Sequence, residues 1–320
     1  NINMITDKIY IYTFYRFKNF TDINVIKLKL NESLKNKLIL GTVLLANEGI
    51  NGTISGTQKD LNDFIYLIRK LLRIKKLSIK ISQNQFIPFY RLKIRLKKEI
   101  VTIGDRSINA NKVTGKHIDP KDWNKIINNK KYYIIDTRND YEVSIGTFKN
   151  AKNPLTKSFK DFPNFIKKQK IKKNQPIAMF CTGGIRCEKA SSYLIKNGFK
   201  DVSQLDGGIL NYLEVNKDSI KSTWKGECFV FDNRVAINNK LEKGTYEQCY
   251  GCRHPITKND MKLKSYKKGA TCKYCINLKS NEKVNASLIR QGQIDVAEKM
   301  KNIHPFKKIT LSDNLFNKIQ

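Results

Sequence analysis

Apolar runs of strand length alternate with stretches of helical spacing through the first hundred residues. Ile9 to Tyr15 is β-branched and aromatic and predicts a strand, and Val25 to Leu38 carries apolar residues at helical spacing. Gly41-Thr-Val-Leu-Leu-Ala46 reads as a buried strand, Asn47-Glu-Gly-Ile-Asn-Gly52 supplies turn residues, and Thr53-Ile-Ser55 returns as a second strand. Leu61 to Leu72 repeats the helical spacing, and Leu77 to Ile81 is again strand-like. The order β-α-β-β-α-β predicts a ferredoxin-like α+β unit over residues 1–105.

Strict alternation in Tyr90-Arg-Leu-Lys-Ile-Arg-Leu-Lys97 puts Arg91, Lys93, Arg95 and Lys97 on one strand face and Tyr90, Leu92, Ile94 and Leu96 on the other. Like residues then lie about 7 Å apart, a step close to that between successive phosphates. Such a cationic ribbon suits RNA. It equally suits a sheet edge that uses charge to repel a second edge.

From near Trp123 the pattern changes to short, almost wholly apolar runs separated by helices. Tyr132-Tyr-Ile-Ile-Asp136, Pro176-Ile-Ala-Met-Phe180 and Val202-Ser-Gln-Leu205 are strands of the kind buried in a parallel sheet. Phe159 to Lys168 is the crossover helix between the first two, and Glu188 to Lys196 is a helix closed by Asn197-Gly198. Repeated β-α units predict an α/β domain over 123–222, with 106–122 as linker. In the segment 223–320, Lys283 to Lys301 is helical in spacing and the tail beyond Pro305 reads as loose. No internal repeat is present.

A length of 320 residues fits two or three domains. No run of about 20 apolar residues and no leader-like start is present, so a soluble, cytoplasmic chain without a membrane partner is expected. Seven cysteines in such a chain predict thiols or metal ligands rather than a disulfide framework. The formal net charge is +33, with Lys outnumbering Arg 50 to 11 in a chain also rich in Asn and Ile. The excess is spread almost evenly, +11, +12 and +10 over 1–105, 106–222 and 223–320. It permits a polyanionic partner, but compositional bias would also produce it.

The sharpest chemical feature is Cys181-Thr-Gly-Gly-Ile-Arg186, directly after a buried strand and directly before a helix. Such a loop turns its N–H groups inward on the sulfur while the helix aims its positive end at the same point. Gly183 and Gly184 permit backbone angles and close approach that a Cβ forbids, and Arg186 adds positive charge. Thr182 and Ile185 complete the cradle. Cys181 is therefore predicted to be a reactive nucleophile of low pKa rather than a small packed hydrophobe. His117, His254 and His304 are the only imidazoles and none lies in the loop, which disfavours acyl transfer. Only four residues separate Cys181 from Arg186, a cradle better suited to one extra sulfur atom than to a phosphate.

Ile134-Ile-Asp-Thr-Arg138, Tyr141-Glu142, Ile145-Gly146, Ala151 to Pro154, the Cys181 loop and Leu205-Asp-Gly-Gly-Ile209 together resemble a rhodanese domain. Thr147 departs from that pattern, which usually has His after the Gly. Asn47-Glu-Gly-Ile-Asn-Gly-Thr-Ile-Ser-Gly56, Cys181-Thr-Gly-Gly-Ile-Arg-Cys-Glu-Lys189 and Phe229-Val-Phe-Asp-Asn-Arg234 further resemble the tRNA wobble-uridine (uridine-34) hydroxylase family. That resemblance implies an α/β rhodanese domain, an open parallel sheet with flanking helices, joined to an N-terminal ferredoxin-like domain and a small C-terminal Cys-rich segment. It also implies oxygen-dependent formation of 5-hydroxyuridine at the wobble position, with Cys181 in the catalytic position, molecular oxygen as co-substrate and the tRNA anticodon region as partner. A sulfurtransferase passing persulfide sulfur and a non-catalytic RNA-binding or sulfur-relay module remain as alternatives.

Cys187, in the first helical turn after Arg186, is placed either to resolve an oxidised Cys181 as a disulfide or simply to pack on the sheet. Asp136 and Arg138 end a strand on the same sheet edge as the loop; they are expected to form a salt link, Arg138 alternatively meeting a phosphate. Glu142 reads as structural. Cys249-x-x-Cys252 and Cys272-x-x-Cys275, separated by 19 residues, have the spacing of two knuckles around a structural zinc, against unligated thiols or a redox pair. His254 is a spare ligand beside them, and Cys228 stands alone as a packed residue. No nucleotide-cofactor motif is evident.

Overall fold

Alternation in the first unit sorts one sheet face into core and leaves the other mixed. The computed structural model describes residues 8–35, 37–217 and 222–300. Its first elements are β1 (Ile9–Phe17), α1 (Ile23–Ser33), β2 (Ile39–Ala46), β3 (Gly49–Gly56), α2 (Gln58–Leu71) and β4 (Ser78–Asn84). The strands pair antiparallel in the order β4-β1-β3-β2, the expected ferredoxin-like arrangement, and β5 (Leu92–Leu96) adds in parallel to β2 at one edge. Phe14, Val43, Leu45, Ile50 and Ile54 pack under Leu30 of α1 and Leu61, Phe64 and Ile68 of α2. Thr57 caps α2 by accepting the Asp60 amide. The turn between β2 and β3 is tighter than the sequence suggests. Ala46 pairs with Gly49, so Asn47 and Glu48 alone turn and Gly49–Gly52 are already strand.

The second unit is a parallel sheet of β6 (Lys116–Ile118), β7 (Tyr133–Asp136), β9 (Ile177–Phe180) and β10 (Val202–Leu205), in the order β6-β10-β9-β7. Between β7 and β9 lie α4 (Asp140–Val143), the strand β8 (Gly146–Phe148) and α5 (Phe162–Lys168). Helices α3 (Pro120–Asn128) and α7 (Gly208–Asn216) cover one sheet face through Trp123, Ile127, Ile209 and Tyr212; α5 and α6 (Ile185–Lys196) cover the other through Phe162, Ile166, Ala190 and Leu194. The assignment of 106–122 to a linker is corrected here, because β6 lies inside it and pairs with β10. A three-residue Lys-His-Ile edge strand carries too little apolar signal to be read from sequence. The expected crossover helix begins as a 3-10 turn at Phe159–Asp161, and Pro163 sits at the start of α5, where its missing N–H costs nothing.

The remaining chain bridges the two units. Strand β11 (Trp224–Gly226) pairs with β8, and β12 (Cys228–Phe229) with β13 (Ala236–Ile237). The loop between β12 and β13 reaches the first unit: the Asn233 amide donates to the Pro88 carbonyl at 3.0 Å and the Arg234 guanidinium to the Ser82 hydroxyl at 3.3 Å. Beyond it come β14 (Glu247–Gln248), β15 (Pro255–Ile256) and α8 (Asn281–Lys299). The predicted tail beyond Pro305, with Lys301 and His304, lies outside the described residues. Among the described residues no helix is long and apolar enough to cross a membrane.

Helix α6 is where the units lock. Lys189, 1% exposed, reaches Glu48 at 2.7 Å and Glu99 at 2.5 Å, and the Tyr15 hydroxyl donates to Glu188 at 2.9 Å. Glu48 also accepts the Ile100 amide at 2.7 Å, which fixes its position in the β2–β3 turn. Removing the ammonium would leave two carboxylates facing each other in a nearly dry contact. Lys189→Met is therefore expected to cost about 3 kcal/mol in chemical denaturation; an unchanged midpoint would show that this contact contributes nothing to the assembly.

Candidate active site

Strand β9 delivers Cys181 to the carboxyl edge of the parallel sheet, and the following loop folds back over the sulfur. Its carbonyls are taken up elsewhere: the Ile209 amide donates to the Cys181 carbonyl at 2.9 Å and the Leu210 amide to the Thr182 carbonyl at 3.0 Å. The first turn of α7 thus holds these two acceptors away from the sulfur, leaving N–H groups to face it. The Gly184 amide donates to Cys181 Sγ at 3.1 Å. Gly184 has φ +95, a left-handed conformation that a side chain would strain. Gly208 permits the close approach of the two loops, since a Cβ there would stand 2.5 Å from the Cys181 carbonyl oxygen.

Burial pushes the Cys181 thiol up, but it is outweighed by a hydrogen bond from the Cys187 thiol, the charge of Arg186, and the amides of Cys187 and Arg186, which together lower it to about 6. The Cys187 thiol moves the opposite way, raised by burial and by its bond to the Cys181 sulfur. Cys187 also lies 3.7 Å from the Thr137 hydroxyl and is buried in the same apolar cluster as Cys181 and Ala190. Of the two thiols, Cys181 is therefore the one that ionises first. Arg186 is not a bare charge. Both terminal nitrogens donate to Glu142, each at 2.7 Å, with Glu142 fully buried. Part of its field is neutralised, which gives the amides and the Cys187 thiol a larger share in holding the thiolate than the sequence implied.

Cys181 is 1% exposed and lines a cavity of about 750 Å³. One wall is the mixed face of the first sheet, with Thr13, Tyr15, Asn51 and Thr53. The floor is Cys181, Thr182, Gly183, Ile185 and Arg186, and the third side is the β12–β13 loop with Phe231. The Thr182 hydroxyl is buried there without a protein partner, so it is a polar group for which the cavity provides a use. Phe231 is 62% exposed, with the Arg186 guanidinium 5.8 Å from its ring centre. Among the described residues no imidazole lines the cavity; His117 stands 3.3 Å from Glu188, whose hydrogen bond raises its pKa despite burial.

Asp136 and Arg138 form the expected salt link, bidentate at 2.9 and 2.6 Å and fully buried, with a further bond from Arg138 to the Gly146 carbonyl at 2.6 Å. Arg138 is thereby unavailable to a phosphate. Thr147, the departure from the rhodanese pattern, donates its hydroxyl to Asp136 at 2.8 Å. On β5, Ile94 is buried while Arg91, Arg95 and Lys97 are exposed and Lys93 is half-buried, the predicted alternation on a strand that is also the sheet edge. Cys249, Cys252, Cys272 and Cys275 bring their sulfurs within 4.8 Å of one another, a group able to hold a metal ion. His254 stands outside that group, stacked on Tyr274 at 4.8 Å. Cys228 is packed, its thiol pushed up to about 12 by burial. Glu142, which the sequence marked as structural, turns out to be the partner of Arg186, and Phe231, marked only within a motif string, lines the cavity; the buried ion pair and the exposed ring appear only once the loops converge.

Family models match twice: a UPF0176 acylphosphatase like domain over residues 9–100 and a rhodanese-like domain over residues 119–214. The tRNA uridine(34) hydroxylase of Pelagibacter ubique (strain HTCC1062) is 46% identical over 299 residues, covering 93% of this chain and 98% of its own. Among solved structures, the rhodanese-like domain protein from Staphylococcus aureus is 30% identical, covering 30% of this chain and 90% of its own with a TM-score of 0.26. The polysulfide-sulfur transferase homodimer from Wolinella succinogenes is 25% identical over 34% of this chain and 81% of its own, with a TM-score of 0.28.

A lowered thiol pKa makes a signed prediction. The thiolate fraction rises with pH, so alkylation of Cys181 by iodoacetamide, followed by peptide mass spectrometry, should reach half its maximum near pH 6 and be flat above neutrality. An unassisted thiol would still be gaining rate near pH 9.

Proposed function

The chain belongs to the tRNA uridine(34) hydroxylase family, and from that premise we propose that it converts the wobble uridine of tRNA to 5-hydroxyuridine with Cys181 as the reacting group. The observation that carries this reading is a stabilised thiolate lining a cavity built by all three parts of the chain. Its volume lies within the range of small-ligand sites, about 300–1,000 Å³. Anticodon bases are single-stranded and easily splayed, so one can enter without breaking a pair.

A thiolate adding to uracil C6 moves an electron pair onto C5, which then takes an oxygen atom from the oxidant; loss of the C5 proton and departure of the thiolate restore the ring. The net change is a two-electron oxidation. With molecular oxygen as co-substrate, the second oxygen atom leaves as water, using two electrons from an external reductant and two protons. In this reading Cys187 carries a proton near the sulfur when the thiolate departs, and the Thr182 hydroxyl, buried without a protein partner, meets a polar edge of the base.

The four-cysteine group suits structural zinc. Tetrahedral thiolate ligands at about 2.3 Å from the metal stand about 3.8 Å apart. Three of the six sulfur separations here are 3.9 Å for Cys249 and Cys275, 3.7 Å for Cys252 and Cys272, and 4.0 Å for Cys272 and Cys275, with all pairs within 4.8 Å. Thiolate sets select zinc among common cellular ions.

Two measurements test this reading. Digested tRNA from cells lacking the gene should lose a nucleoside one oxygen heavier than uridine, restored by the wild-type chain and not by Cys181→Ser; a uridine with sulfur in place of oxygen would instead establish sulfur transfer. Elemental analysis of purified protein should find close to one zinc per chain, and zinc near zero with four free thiols would remove the metal assignment.

A further inference from the structure

A second cavity, of about 900 Å³, adjoins the first and shares Thr42, Phe89, Phe231 and Asp232 with it. The exposed Phe231 ring is thus part of the boundary between the two. Arg91, just before β5, and Lys93 within it line the outer cavity, as do Tyr250 and Arg253 from the segment that carries the four cysteines. Arg95 and Lys97 do not line it, so only the first half of the cationic strand faces this groove. Arg253 follows Cys252 directly, with φ +70 and its amide donating to the Cys249 carbonyl at 2.7 Å; the fold of the cysteine loop sets where this guanidinium stands.

The charges converge without neutralising one another. Burial, then the nearby positive charges of Arg91, Arg95 and Arg253, hold the Lys93 ammonium below its usual range. Among the described residues lining the outer cavity, Asp232 is the only carboxylate, and it is engaged by Arg234 at 2.7 Å. Tyr90 and Tyr250 are 42% and 51% exposed. Cations interleaved with exposed rings, in a groove beside the cavity of a reactive sulfur, match a single-stranded nucleic acid, whose phosphates take the charge while bases stack on the rings.

We propose that this groove holds the ribose-phosphate backbone of the anticodon strand beside the reacting uridine, with Arg91, Lys93 and Arg253 on phosphates and Phe231 stacked on the base that passes to Cys181. The proposal rests on the tRNA reading above. It also gives the four-cysteine group a part in the reaction, as the support for one wall of the RNA path.

The test uses the full chain and a fluorescent anticodon stem-loop RNA, with anisotropy read across a salt series. Arg91→Ala and Arg253→Ala should each weaken binding about tenfold at low salt and flatten the dependence of log affinity on log salt by about one unit. Lys130→Ala, on an exposed turn, is the control and should change neither. Phe231→Ala should slow uridine modification by about tenfold or more, with Phe231→Trp restoring it. Cys181 alkylation at wild-type rate in the Arg91 and Arg253 variants shows that the thiol site is intact in them. If the wild-type chain binds the RNA and both arginine variants match it in affinity and salt slope, the groove assignment is overturned and the tRNA reading stands. If the wild-type chain binds no RNA, the tRNA reading falls and the groove with it.

Discussion

A buried negative sulfur is tolerable only if the backbone around it presents hydrogens and not oxygens. In the Cys181 loop that condition is met from outside, by the first amides of α7, which take the Cys181 and Thr182 carbonyls. With those acceptors occupied, the loop directs its N–H groups at the sulfur, and α6 begins where its positive end is most useful. The glycines of Leu205-Asp-Gly-Gly-Ile209 are therefore part of the thiol's environment, although they lie more than 20 residues from it in sequence.

The same helix that begins at the sulfur joins the two units. Glu188 and Lys189 follow the loop directly and meet Tyr15, Glu48 and Glu99. The motif strings around Glu48 and around Cys181 are thus two halves of one contact, not separate sites. Any displacement of the first sheet acts on α6 within one turn of the residues that stabilise the thiolate.

Much of this was legible in the sequence, for identifiable reasons. Period-two and helical spacing located the strands and helices of both units because each buries one face, and the strand-loop-helix order around Cys181 announced the electrostatics of the loop. The four cysteines declared themselves by spacing. The strand Lys116–Ile118 did not, because three residues at a sheet edge, two of them polar and exposed, carry no periodicity. Compensation of Arg186 by Glu142 was invisible for another reason: the partners are 44 residues apart and meet through the turn of α4. The groove behind Arg91 and Arg253 depends on juxtaposing segments from opposite ends of the chain, which local pattern does not encode.

No single segment encloses the cavity above Cys181: the first sheet gives one wall, the parallel domain the floor, and the β12–β13 loop the third side. A lone parallel-sheet domain of this type would offer its sulfur to any small electrophile that diffused by. Here the space around Cys181 is set by three segments together, so a change in a flanking wall alters the cavity while leaving the nucleophile's own loop untouched.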